Sequence, residues 1–256
     1  MRKSNYLILS PFYLEFNDYL TKIENVTSLF SSLTIFDISR FDNLIDMNEK
    51  ISYFNNKFTF IYLPKNIKKI DKFIFAIKNI QILDLSNNIN LNAIMDWAFE
   101  QNQIKHLKLP ISITMIGRQA FEGNLIRNLD LSNLIYLKII NESTFENNQI
   151  EYLKLPPNIT EIEKSAFSRN QIEILDLSNY VNLNKINSDA FLKNPLKEIK
   201  ILDNLSLSYV EYRTSSIWDD FIKYYNNNNK KSGDYKLENE EWKWYPLQKS
   251  IINLQL

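Results

Sequence analysis

A Leu-x-Leu triplet returns along this 256-residue chain at steps of 24 and 22 residues, and no other feature so narrows what the chain can fold into. Leu83/Leu85, Leu107/Leu109, Leu129/Leu131, Leu153/Leu155, Leu175/Leu177 and Ile199/Ile201 lie 24, 22, 24, 22 and 24 residues apart. Upstream, Ile61/Leu63 sits 22 before Leu83, Phe36/Ile38 another 25 back, and a degraded Leu14/Phe16 another 22 back. A fixed period in the twenties marks a solenoid, because a unit this short buries almost nothing alone and becomes stable only when stacked on its neighbours.

Two unit types alternate. One reads LKLP..IT.I...AF..N (His106 to Asn124, Tyr152 to Asn170) and the other ILDLSN...L..I...AF..N (Ile82 to Asn102, Ile174 to Asn194). In either, L-K-L or L-D-L puts two leucines on one face of a short strand and the charge on the other. Pro110, Pro156, Ser132 or Ser178 then ends the strand. In the LKLP units an Ile follows seven residues after the second Leu, and the Phe of Ala-Phe five beyond that (Ile116 and Phe121, Ile162 and Phe167). These predict inward ladders, with the Ala-Phe segment as a short helix or turn on the convex side. Asn102, Asn124, Asn148, Asn170 and Asn194, each five residues before the marker, predict amides that satisfy turn backbone between units.

The LxLP..IT.IG..AF..N pattern, clearest at Leu107 to Asn124, resembles the BspA-type leucine-rich repeat. The resemblance covers residues 33–204 well and 6–32 poorly. It departs from the family at glycine: only Gly117 occupies the usual position, with Glu163 and Asp71 in its place elsewhere. The expected fold is therefore an α/β repeat, a right-handed leucine-rich-repeat solenoid of about eight units with a parallel concave β-sheet. Three segments follow from the pattern: 1–32 an N-terminal cap and degenerate first repeat, 33–204 the repeats, and 205–256 a C-terminal aromatic cap and tail. After Asn204 the period is lost. Ser215 to Tyr225 reads as an amphipathic helix with Ile217, Trp218, Phe221 and Ile222 on its apolar side. Tyr235-Lys236-Leu237 and Trp242-Lys243-Trp244 alternate as a hairpin. The segment resembles the ending of many BspA-type proteins, and it would lay Trp218, Phe221, Trp242 and Trp244 over the last unit's core. The alternative is an aromatic surface that stacks on sugar rings.

Function is to be sought on the solvent face of the strands. The row between the inward leucines reads Asp37, Tyr62, Asp84, Lys108, Asp130, Lys154, Asp176, Lys200. From Asp84 its sign alternates, so on strands ~4.8 Å apart every interior Asp is flanked by two Lys. That is either a self-neutralising ladder, worth roughly 0.2–1 kcal/mol per exposed pair, or a strip read by a partner. One position earlier stand Ile35, Phe60, Ile82, His106, Asn128, Tyr152, Ile174 and Glu198. Apolar residues there form an interaction patch or bury one another. The candidate partner-binding residues are Phe60, Tyr62, Ile82, His106, Lys108, Asp130, Tyr152, Lys154, Ile174 and Asp176, with the aromatics Phe60, Tyr62 and Tyr152 foremost.

Catalytic and metal chemistry find little to stand on. His106 is the single histidine, and its strand neighbours Ile82 and Asn128 supply neither nucleophile nor orienting acid. The carboxylates are separated by lysines, cysteine is absent, and three glycines leave no Gly-rich phosphate loop. The expectation is no enzyme, no cofactor and no metal. Thirty basic and thirty acidic residues give zero formal net charge, which argues against nucleic acid or anionic lipid as main partner. No run of about 18 apolar residues predicts membrane insertion. Pro11 and Glu15 interrupt the apolar start before a secretory core is complete, so the sequence reads as intracellular, whereas the resembled family is often surface-exposed or secreted. The resemblance implies a protein-binding scaffold, adhesin-like in many members. The chain is expected to be a monomer, and the alternative function is a self-associating structural protein.

Overall fold

The computed structural model describes residues 6–8, 35–37, 39, 46–47, 58–203, 205–208 and 216–247. Through residues 58–208 the chain winds as a parallel β-solenoid, each turn made of a three-residue strand, a bend, a two-residue strand and a turn. Six successive turns each place one Phe in the interior: Phe75, Phe99, Phe121, Phe145, Phe167 and Phe191. Adjacent rings stack with centroids 5.4–5.7 Å apart. Such pairs contribute ~0.5–1.5 kcal/mol beyond the area they bury. The core between the two strand faces is closed by Leu83, Leu85, Ile94 and Phe99 and their counterparts in other turns.

The Leu-x-Leu strands form the concave face: Phe60–Tyr62, Ile82–Asp84, His106–Lys108, Asn128–Asp130, Tyr152–Lys154, Ile174–Asp176 and Glu198–Ile201. Opposite them the sequence suggested only helices or turns. Instead the Ile seven to nine residues on lies in a strand of its own, giving a second row of parallel strands in two four-stranded sheets, Asp46–Met47, Lys69–Ile70, Ala93–Ile94 and Met115–Ile116, then Ile139–Ile140, Glu161–Ile162, Lys185–Ile186 and Ser206–Leu207, with no ladder between Met115–Ile116 and Ile139–Ile140. Two residues are too few for their alternation to be seen in a sequence. The Ala-Phe segments are turns, and no helix interrupts residues 58–203. Tight bends take left-handed residues, in the middle turns two set four apart, such as Gln119 and Gly123 or Ser165 and Arg169. Gly117 is needed for space, since a Cβ there would meet the Asp96 amide nitrogen at 2.4 Å.

At the N-terminal side Ile35–Asp37 pairs in parallel with Tyr6–Ile8; the degraded Leu14/Phe16 marker lies outside the described residues. The short apolar run Tyr6-Leu7-Ile8 is thus a strand.

The Asn row is wired as its position suggested. Asn148 Oδ1 accepts from Ile126 N–H at 3.2 Å, while Nδ2 donates to the carbonyls of Phe121, Phe145 and Glu146. Asn102, Asn124 and Asn170 each repeat this pattern with three main-chain carbonyls. One short amide thereby ties two turns together where neither strand ladder reaches.

The C-terminal cap is a helix, Ile217–Asn227, and a hairpin, Gly233–Glu238 with Glu241–Tyr245. Ser216 caps the helix, its Oγ accepting from Asp219 N–H. Trp218, Phe221 and Ile222 are buried, but Ile217 faces solvent. Trp218 meets Phe191 edge-on at 5.2 Å and ends the Phe stack. Its indole N–H donates to Ser188 O at 2.9 Å. The hairpin turns on Asn239 and Glu240, both left-handed, and its first strand runs antiparallel to Glu198–Ile201. The cap therefore covers the end of the core and extends the concave sheet as well. Among the described residues no helix is long and apolar enough to cross a membrane.

Candidate functional site

The concave sheet is not evenly knit. At each 24-residue step the strands pair in full: Ile82–Asp84 with His106–Lys108, Asn128–Asp130 with Tyr152–Lys154, and Ile174–Asp176 with Glu198–Ile201. At the 22-residue steps the pairing lapses. Phe60–Tyr62 and Ile82–Asp84 share one partner pair, and the His106/Asn128 and Tyr152/Ile174 joins have none. In the last of these, Leu155 N–H donates to the Tyr180 hydroxyl instead, at 3.0 Å. The missing two residues shorten the path around the LKLP turn, whose proline also removes a donor at the strand end.

This spacing overturns the even charge ladder. Asp84 pairs with Lys108 at 3.2 Å and Asp130 with Lys154 at 3.6 Å, both across fully knit joins. No ion pair joins Lys108 to Asp130 or Lys154 to Asp176, and Lys200 turns to Glu198 on its own strand at 3.1 Å. Each Asp also has a local task unseen in the sequence. Asp130 Oδ1 accepts from the amide and hydroxyl of Ser132 at 3.0 and 2.5 Å, and Asp37, Asp84 and Asp176 do the same with Ser39, Ser86 and Ser178. The D-x-S spacing closes the strand with an Asx turn. Partial burial pushes the Asp84 and Asp130 carboxyls up, but the Ser hydrogen bonds and the neighbouring lysine outweigh it and hold both below the usual carboxylate range.

The apolar row is exposed in part. Ile82, Tyr152 and Ile174 are 39, 46 and 59% exposed, and Tyr62 on the neighbouring row 51%. Phe60 is half-buried, so of the three aromatics Tyr62 and Tyr152 are the ones free to touch a partner. His106, Lys108, Asp130, Lys154 and Asp176 all face solvent, and no group of three His, Cys, Asp or Glu among the described residues could hold a metal. Three open clefts lie on this face, each at an unknit join: Phe60/Ile82, His106/Asn128 and Tyr152/Ile174.

Sequence reasoning missed a second apolar strip. Ile89, Ile111 and Tyr136, 67, 52 and 57% exposed, follow the concave strands in three successive turns, and Val181, 77% exposed, follows the strand Ile174–Asp176 after a turn that carries Pro156 and Pro157 instead. The signal was present as an apolar residue two to five positions after the second Leu, outside the strand where alternation was sought. At the C-terminus the rings of Trp218 and Trp242 are buried, and Lys231 Nζ sits 3.6 Å from the ring centre of the partly buried Trp244.

A family model described as BspA type Leucine rich repeat region matches the chain in six copies, over residues 12–127 and 92–213. No curated protein matches. Among solved structures, a leucine-rich repeat protein from Bacteroides ovatus ATCC 8483 aligns at 18% identity and a TM-score of 0.40, covering 69% of this chain and 51% of its own. The chain thus spans about half the length of that protein.

Proposed function

The chain belongs to the BspA-type leucine-rich repeat family, and from that premise we propose that it is a non-catalytic scaffold holding a protein partner on its concave face, with an adhesive role as in many members. One observation carries the reading. The ladders inside the solenoid are complete without them, yet Tyr62 and Ile82 and, beyond two intervening strands, Tyr152 and Ile174 stand solvent-exposed as two pairs on neighbouring strands of the concave face. Exposed aromatics at the centre of such a patch are the usual anchors of an interface. The surrounding Lys and Asp, paired or turned to Ser, supply a polar rim.

The test is affinity capture from lysate and extracellular fractions with wild type and a Tyr62→Ala/Tyr152→Ala variant. Both side chains are half-exposed, so the variant should melt as wild type does. A partner held by wild type and lost by the variant supports the reading; the same partners on both forms contradict it. An Ile89→Ser/Val181→Ser variant is the companion, and loss of the partner there alone would move the interface to the second apolar strip.

A further inference from the structure

We propose that the two clefts at the His106/Asn128 and Tyr152/Ile174 joins form one bipolar trough for an extended peptide of the partner protein, taking a carboxylate at the first and a basic side chain at the second. The inference rests on the concave-face reading and adds the partner's chemistry to it.

The unknit joins expose main chain. Tyr152 N–H donates to Arg127 O and Lys154 O accepts from Leu131 N–H, both toward the preceding strand. Alternate residues of a parallel strand face opposite neighbours, so the N–H and carbonyl of Leu153 look into the gap. By the same parity Leu107 faces the His106/Asn128 gap that follows it, since Lys108 O accepts from Leu85 N–H of the preceding strand. Leu107 and Leu153 are only partly buried, whereas Leu83, Leu129 and Leu175 are at most 2% exposed, so solvent enters where the strands part. A peptide that crosses the joins can hydrogen-bond this unpaired main chain locally at each of them.

Charge selects the peptide. The first cleft, about 580 Å³, is lined by Lys105, His106, Lys108 and Arg127 with no carboxylate. The second, about 950 Å³, is lined by Glu151, Glu173 and Asp176 against Arg127 alone. Arg127 and Gln149 line both, so the clefts are neighbours that share a wall. Arg127 is already turned to Glu151 at 3.9 Å, and Glu173 is shared with Lys197 at 2.8 Å. Lys105 has no carboxylate within ion-pair reach among the described residues. Tyr152 and Ile174 offer an apolar seat beside the acidic end.

Spacing completes the pattern. The joins are two repeats apart, at least ~10 Å for strands ~4.8 Å apart, and the parted join widens this. Side chains on one face of an extended peptide recur every ~7 Å, so residues four apart, ~14 Å, match the trough with long side chains, and residues two apart fall short.

The probes are fluorescein-labelled nine-residue peptides in a Ser/Thr/Val background: Asp and Arg four apart, Asp and Arg two apart, two Asp, two Arg, and uncharged. By fluorescence anisotropy the first should bind at least ~tenfold tighter than the rest. Lys105→Glu, an exposed change checked by an unchanged melting temperature, should abolish that preference and transfer it to the peptide with two Arg. Equal binding of all five, no binding at millimolar concentration, or an unchanged preference in Lys105→Glu would overturn the inference. A partner captured by wild type and lost from the Tyr62/Tyr152 variant, with no peptide preference, would remove the trough and leave the concave reading intact.

Discussion

Asn148 shows how much a single small side chain holds in this fold. Its amide satisfies one main-chain N–H and three carbonyls across two turns, and truncation strands them in the core. Leaving a buried group unmade costs ~1–3 kcal/mol, so Asn148→Ala should destabilise by at least ~2 kcal/mol in chemical denaturation, against under ~1 for Asn158→Ala, whose one bond to Ile135 O is exposed. A smaller loss would mean that water replaces the amide. Backbone conformation sets a second cost. Ile77 is left-handed at φ 56° and 69% exposed, a β-branched residue where Asn sits more easily. Ile77→Asn should therefore stabilise by about 0.5–1 kcal/mol, and a destabilised variant would refute the strain. A third case is electrostatic. Burial first, and the Glu122 carboxylate beside it, push the Glu100 carboxyl above its ordinary value. The folded state favours its protonated form, so this stability is present at low pH and lost as pH rises through the folded pKa. Glu100→Gln should raise the melting temperature at pH 7 and leave it unchanged near pH 3; an equal gain at both would assign the effect to packing.

At the scale of strands and turns, the period could be read in the sequence and the quality of each join could not. The steps of 24 and 22 were plain, yet nothing in L-K-L against L-D-L says that the shorter step opens the sheet; that depends on how Pro110 and Pro156 steer the chain after the strand. The alternating Lys and Asp row was legible as residues and misread as contacts, because its even spacing assumed even joins. The hairpin of the cap was legible from alternation and its helix from the amphipathic run Ser215 to Tyr225, while the two-residue strands fell below what a period-2 pattern can reveal. The D-x-S turn separates two roles for Asp130. Asp130→Asn keeps an acceptor for Ser132 and loses only an exposed ion pair, for a change within ~0.5 kcal/mol, whereas Asp130→Ala loses the turn as well and should cost about 1 kcal/mol. Equal losses would place the residue's value in the charge row after all.

Across the whole molecule, one-dimensional stacking decides what the surface can be. A Phe stack and an Asn row run the length of the described turns, and the cap ends them with Trp218. The side chains outside those ladders are free to serve recognition, and the concave rows expose the apolar candidates as two pairs, Tyr62 with Ile82 and Tyr152 with Ile174. That placement was readable from the repeat register; Phe60's partial burial and the strip at Ile89, Ile111, Tyr136 and Val181 were not, since they depend on the path of the bends. The most direct test of the central claim is hydrogen–deuterium exchange of the chain alone and with its captured partner. Protection confined to the concave strands from Phe60–Tyr62 to Ile174–Asp176 is the expected result; protection of the second row of strands or the turn edges, with the concave strands unchanged, would contradict it.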